Sequence, residues 1–301
     1  MSLDRDCEEF LDALDDSTRR VYKMGLVAFR TFYKKPVSTF LDDVERDLSK
    51  PRRERKRIAV NTMKEFIEWL KSYNYAPKTI RTYVSAVQSL AKYFEIPISL
   101  RYVRVPSALP VNKKHPWDLD GITKFFSMMD KETLALASTL FQSGLSLRDA
   151  LAITYGDIKD ELENGETRIC LDLVRIKTDT PHLTFIGEYA TEKLKIYLRS
   201  RGKLSQTEPL FPISERTVRY RFRVIAKEML KKIKERNPAS PHSLRVAFRT
   251  LMRDAGAPEE YIEFWMGHNV SGDIRKIYTM HSREGWRKIY MKYEHAVTPK
   301  S

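Results

Sequence analysis

The stretch HSLRVAFRTLMRDAGAPEEYIEFWMGHNVSGDIRKIYT, residues 242–279, carries the residues on which the assignment of this chain depends. His242 and Arg245 stand three residues apart, so on a helix both side chains can point into one pocket. His268 follows 26 residues after His242, behind a glycine that can end a helix, and Tyr278 follows ten residues later. Arginine can hold two phosphate oxygens, histidine moves protons near neutral pH, and tyrosine is an oxygen nucleophile. These residues predict a site that attacks a phosphodiester without a metal.

This stretch resembles the box-II segment of the tyrosine recombinases, the phage-type integrases. Those proteins read approximately H-x-L-R-H-x-F-A-x-x-L-x-x-x-G, then L-G-H, then I-Y-T. The chain follows that order, those residue types and nearly all of that spacing. Val246 stands where the family often has histidine, and the interval from His268 to Tyr278 is longer than is common, at about Gly272. Neither difference removes a catalytic group.

The resemblance implies a role for each residue of the stretch. Tyr278 would be the nucleophile that forms a phosphotyrosine link and frees a 5′-hydroxyl. Arg245 would hold the non-bridging oxygens and stabilise the charge that grows on the phosphorane. His242 would accept the tyrosine proton or donate to the phosphate, and His268 would donate to a non-bridging oxygen.

The resemblance continues upstream. Aligning HLTFIG, residues 182–187, on the family's second strand puts Lys177 on its catalytic lysine, a general acid for the departing 5′-oxygen. The family motif T-G-x-R-x-x-E-L falls on SGLSLRDAL, where Ser146 takes the arginine position. Arg148, displaced by two residues, is the candidate for this cation; otherwise another cation substitutes or the enzyme is impaired. Asp149 would orient the arginine side chains or the local backbone.

Composition narrows the class of protein. The 301 residues include 42% hydrophobic and 31% charged residues, and no apolar run reaches the length of a membrane span. The acidic N-terminus lacks the order of a signal peptide. Cys7 and Cys170 stand far apart, which argues against a disulfide framework or a zinc site and makes the reducing cytoplasm the default. There, the resemblance to DNA-acting recombinases implies association with the nucleoid. We therefore expect no cofactor and no metal. The formal net charge of +14 indicates a polyanionic partner, with nucleic acid favoured.

The pattern along the chain predicts a mainly α fold with a small β-hairpin region. Residues 1–100 read as short helices and resemble the core-binding domain of the family. Residues 101–116 contain three prolines and five basic residues and are expected to be a basic linker. Residues 117–301 would form the catalytic domain. Within it, residues 167–187 include β-branched residues and an alternating pattern on either side of a polar turn at Thr178–Pro181. This pattern predicts a β-hairpin.

These observations predict a two-domain site-specific recombinase or integrase acting on double-stranded DNA, with no membrane association. The resemblance implies self-association into a tetrameric synapse on two DNA sites. The tail after Tyr278 is expected to be helical and to dock on a neighbouring subunit. One alternative is a type IB topoisomerase-like enzyme that relaxes DNA as a monomer. Another is a non-catalytic DNA-binding relative. The serine at position 146, where the family carries an arginine, supports this alternative.

Overall fold

Helices make up most of the protein in this computed structural model, which describes residues 3–107, 117–230, 239–268 and 280–300. The chain divides into two compact units, Met1–Val111 and Asn112–Ser301. Within the described ranges, the named strands form one antiparallel pair in the second unit. The expected mainly α fold with a small hairpin is confirmed.

The first unit is a helical bundle around an aromatic core. Phe29 meets Phe40 and Phe66 edge-on, with ring centroids 4.9 and 5.0 Å apart, a favourable arrangement for buried rings. Its helices are α1 (Arg5–Asp12), α2 (Asp16–Tyr33), α3 (Val37–Leu48), α4 (Ile58–Ser72) and α5 (Pro77–Tyr93). Val103 is buried in the same core and Val105 packs against it, so the first part of the expected linker packs on this unit. Residues 108–116 of that linker lie outside the described residues.

The second unit builds helices around the hairpin. Its elements are α6 (Leu119–Ser127), α7 (Lys131–Ser143), α8 (Leu147–Ala152), α9 (Gly156–Glu163), β1 (Ile169–Arg175), β2 (Thr180–Ile186), α10 (Glu188–Arg201), α11 (Glu215–Leu230), α12 (Pro241–Asp254), α13 (Glu259–Trp265) and α14 (Arg283–Tyr293), with a 3₁₀ turn at Glu294–Val297. One core cluster takes residues from all the helices and both strands of this list. The hairpin and the ends of α7, α12 and α13 therefore share one rigid packing unit.

The hairpin turns slightly earlier than the sequence indicated. Its register pairs Ile169 with Ile186 and Arg175 with Thr180, so residues 176–179 form the connecting loop. Asp179 adopts a positive φ of 48°, which aspartate tolerates better than most residues. The amide of Asp179 donates to the Arg175 carbonyl at 2.9 Å and closes the loop.

In the single chain the C-terminal segment packs on its own unit, and docking of the tail on a neighbouring subunit stays a prediction. Tyr290 is fully buried, and its hydroxyl donates to the Gln142 carbonyl at 2.8 Å. Glu294 pairs with Arg168 and accepts the backbone amide of Glu188 at 2.6 Å. The sequence shows the amphipathic pattern of this helix, but its apolar face finds a partner surface within the same unit.

Gly144 ends α7 with a positive φ of 67°, and a Cβ there would lie 2.5 Å from the Phe248 ring. We expect Gly144→Ala to lower the free energy of unfolding by about 3 kcal/mol, from backbone strain plus overpacking. Gly165 has a φ of 81° but an open surrounding, so Gly165→Ala should cost only the strain, about 1 kcal/mol. Urea denaturation of both variants measures the difference. Equal losses would show that Phe248 does not limit the space at Gly144.

Candidate active site

Helix α12 presents the two residues of the HxxR pattern on one face. Pro241 occupies its first turn, where the missing N–H costs nothing because that donor has no helical partner. Arg245 is 3% exposed, whereas His242 is exposed at the beginning of the helix. Leu244 and Phe248 of the same helix are fully buried in the core on either side of Arg245 in the sequence. The core therefore fixes where Arg245 points.

The guanidinium group of Arg245 binds the carbonyls at the ends of two other helices. Its Nη1 donates to Gly144, the C-cap of α7, and its Nη2 donates at 2.6 Å to Met266, the C-cap of α13. Carbonyls at helix C-termini lack intrahelical partners and carry partial negative charge, so they suit a buried cation. Burial, followed by the charge of Arg175, lowers the pKa of Arg245 to about 10, so Arg245 stays cationic near neutral pH.

His268 lies against this guanidinium group, just after Gly267 closes α13 with a φ of 65°. The Nε2 atom of His268 is 2.8 Å from Nη2 of Arg245, and its Nδ1 atom is 2.5 Å from Oε2 of Glu263. A guanidinium nitrogen can only donate, so Nε2 accepts and the imidazole proton sits on Nδ1, donating to Glu263. Burial lowers the pKa of His268, while the hydrogen bond to Glu263 opposes that shift. In the free protein His268 is thus a neutral acceptor.

A cavity of about 410 Å³ opens beside Arg245. His242 from α12, Arg148 from α8 and Arg219 from α11 are among its lining residues. Glu215 also lines it and pairs with Arg219 at 2.9 Å. Three guanidinium groups and one carboxylate leave a net positive lining, which suits an anion such as a phosphate.

Helix α8 and the hairpin loop meet at Asp149, which is 6% exposed. Its Oδ2 accepts the hydroxyl of Ser146 at 2.6 Å, and its Oδ1 accepts the backbone amide of Ile176 at 3.1 Å. Lys177, the next residue, is exposed in this loop and is not among the residues that line the cavity. Asp149 therefore holds the loop that carries Lys177 beside the beginning of α8.

The structure brings together most of the residues that the sequence singled out. Arg148, His242 and Arg245 share the cavity, and His268 lies behind Arg245. The candidate nucleophile, Tyr278, lies outside the described residues.

Three residues that lie around Arg245, His268 and the cavity were not predicted from the sequence. Glu263 stands five residues before His268, a spacing that no helical-face rule selects. Arg175 ends β1, two residues before Lys177, and its Nη1 donates to the Gly267 carbonyl at 3.0 Å. Arg219 lines the cavity because of the way α11 packs, which its local sequence pattern does not show.

Within the described ranges, no group of three or more His, Cys, Asp or Glu side chains is placed to hold a metal ion. Nor does any helix there have the length and apolar character needed to cross a membrane.

We expect Glu263→Gln to lower the pKa of His268 further, because the substitution removes the carboxylate that favours the protonated ring. A pH titration followed by NMR of the histidine ring nitrogens measures this shift. Glu259→Gln is the matched control, because Glu259 pairs with Arg249 and Arg253 on the exposed side of α13. An unchanged or raised His268 pKa in Glu263→Gln would contradict the assigned hydrogen bond.

Known tyrosine recombinases resemble this chain in sequence. Tyrosine recombinase XerD of Halalkalibacterium halodurans is 25% identical over 270 residues, which cover 80% of this chain and 83% of the relative. Tyrosine recombinase XerC of Bacillus subtilis is 25% identical over 244 residues, which cover 72% of this chain and 74% of the relative.

Solved structures agree in fold. XerH site-specific recombinase bound to palindromic difH substrate matches with a TM-score of 0.59 and 16% identity, over 90% of this chain and 78% of that one. A lambda integrase dimer bound to a COC' core site matches with a TM-score of 0.59 and 14% identity, over 91% of this chain and 97% of that one. Residues 118–284 match the model of the phage integrase family. The chain belongs to the phage integrase family of tyrosine recombinases.

Proposed function

We propose that this protein is a site-specific DNA recombinase that cleaves and rejoins strands through a covalent 3′-phosphotyrosine, without a metal or ATP. The observation that carries the proposal is the buried cation of Arg245, which lies between His268 and a positively lined cavity. A guanidinium group fixed by backbone carbonyls is a preorganised site for the charge that develops on a phosphate.

In the proposed cleavage step, the Tyr278 oxygen attacks the scissile phosphorus and its proton passes to His242. The bond from phosphorus to the 5′-oxygen breaks, and that oxygen takes a proton from Lys177. The products are a 3′-phosphotyrosyl diester and a free 5′-hydroxyl. One phosphodiester replaces another, so rejoining by the reverse attack needs no external energy source.

Arg245 would bind the phosphate by exchanging partners. Toward described residues it uses three of its five N–H donors, on Gly144, Met266 and His268. A phosphate oxygen that replaces the His268 Nε2 atom would gain a charged donor. His268 could then take up a proton, stabilised by Glu263, and donate to the same phosphate. Both helix-end carbonyls would stay bound throughout.

Double-stranded DNA is the proposed partner. The net charge of +14 and the exposed Arg148 on the cavity support phosphate contacts, which make affinity fall with salt. Arg148 would bind the backbone there. By analogy with the family, two sites and four subunits would form the synapse, and the protein would associate with the nucleoid. The comparisons do not favour the topoisomerase-like or the non-catalytic alternative.

The test is covalent trapping on a duplex selected from a randomised pool by binding to the protein and then nicked beside the scissile phosphate. The short fragment released by cleavage diffuses away, so we expect the adduct to accumulate, in EDTA and without ATP. Tyr278→Phe should abolish it, because the ring then lacks the attacking oxygen. Denaturing gel electrophoresis measures the adduct.

Tyr293→Phe is the matched control, since it removes a hydroxyl from another tyrosine near the C-terminus at the end of α14. Adduct that persists in Tyr278→Phe would assign the nucleophile elsewhere. No adduct from the intact protein would refute the proposed strand transfer, and a requirement for a divalent cation would refute its metal independence.

A further inference from the structure

Two guanidinium groups bind the carbonyls of consecutive residues, immediately before His268. Arg245 donates to Met266 at 2.6 Å, and Arg175 donates through Nη1 to Gly267 at 3.0 Å. Arg175 ends β1 and is half-buried. The two side chains therefore approach the same backbone segment from different elements, one from a helix and one from the hairpin.

This pairing of like charges has an electrostatic cost. The charge of Arg175 contributes to the lowered pKa of both Arg245 and His268. Within the described parts of the chain, Arg175 forms no ion pair, and both oxygens of the nearby Asp149 accept hydrogen bonds from Ser146 and Ile176. Asp149 and Glu263 oppose the effect of Arg175 on the pKa of Arg245. An anion bound by both guanidinium groups would further offset the repulsion between them.

The remaining donors of Arg175 are suitable for such an anion. Because Nη1 holds Gly267, the edge formed by Nε and Nη2 is the one left for bidentate binding of a phosphate. The Nε atom is buried and has no hydrogen-bond partner among the described residues. An unsatisfied buried donor on a cation is costly, which is consistent with a site that awaits a ligand.

Arg148 is the rival for this role, and its surroundings differ. It is exposed on the first turn of α8, so binding a phosphate would cost the entropy of ordering a long side chain. Arg175 is already held by Gly267 and is preorganised. Ser146, at the sequence position where the family carries arginine, is committed to capping α8 and to Asp149.

The geometry points to Arg175 as the second guanidinium group that binds the scissile phosphate, beside Arg245, an inference that rests on the proposed strand transfer. Arg175 acts as a charged donor to the non-bridging oxygens as the Tyr278 oxygen adds and the 5′-oxygen leaves. Arg148, which lines the cavity, contacts DNA at another point. Arg175 of the hairpin thereby takes the place of the arginine that the family motif carries at the position of Ser146.

The test compares single-turnover adduct formation on two versions of the nicked duplex. One carries the ordinary scissile phosphate; the other carries a methylphosphonate, in which a methyl group replaces one charged oxygen. On the phosphate, we expect Arg175→Ala to be slower than the intact protein by roughly 100-fold or more. On the methylphosphonate, most of that deficit should disappear, because little negative charge remains to be stabilised. Any deficit of Arg148→Ala should be the same on both duplexes, because Arg148 contacts DNA away from the scissile phosphate.

Other results would overturn the inference. An equal deficit of Arg175→Ala on both duplexes would mean that Arg175 only holds Gly267 in place. A charge-dependent deficit in Arg148→Ala, with Arg175→Ala unaffected, would assign the role to Arg148. If Arg175→Ala melts early, Arg175→Gln replaces it, since glutamine keeps a donor for Gly267 without the charge, and the same pattern is expected. No adduct from the intact protein would instead refute the proposed strand transfer itself.

Discussion

The arrangement of the second unit depends on the hydrogen bonds that the buried guanidinium group of Arg245 donates to two backbone carbonyls. Its guanidinium group joins the end of α7, through Gly144, to the end of α13, through Met266. One carbonyl belongs to Gly144 and the other to Met266, the residue before Gly267. Both glycines adopt a left-handed conformation, which ends each helix and leaves its last carbonyls free to accept from the arginine. Backbone carbonyls stabilise the cation with partial charges and do not neutralise it. The full positive charge therefore stays available to a phosphate, which a carboxylate partner would have reduced.

Carboxylates hold the residues around that charge. Asp149 links the beginning of α8 to the hairpin loop, and Glu263 fixes the proton of His268 and also pairs with Arg249 at 2.7 Å. Neither forms an ion pair with Arg245 within the described residues. These two carboxylates thus orient the hairpin loop and the His268 ring, while Arg148, Arg219 and Arg245 line the cavity. This division lets the site be rigid before DNA arrives and still be strongly positive.

Much of this could be predicted from the sequence, and the limits have physical causes. The shared face of His242 and Arg245, the helix end at Gly267 and the hairpin follow from local periodicity and from glycine conformations. Glu263 and Arg175 could not be found that way, because the contacts that place them depend on packing between a helix end and a strand. The surface that covers the C-terminal helix could not be predicted for a related reason. An amphipathic pattern shows that a face will be buried but not which surface covers it.

The most direct test of the Arg245 site is a crystal structure of the Tyr278→Phe protein bound to its selected, nicked duplex. The expected result is a guanidinium group that keeps both carbonyls, of Gly144 and Met266, and exchanges its contact with His268 for an oxygen of the scissile phosphate. A phosphate held by other cations, with the bond between Arg245 and His268 intact, would contradict the role assigned to Arg245.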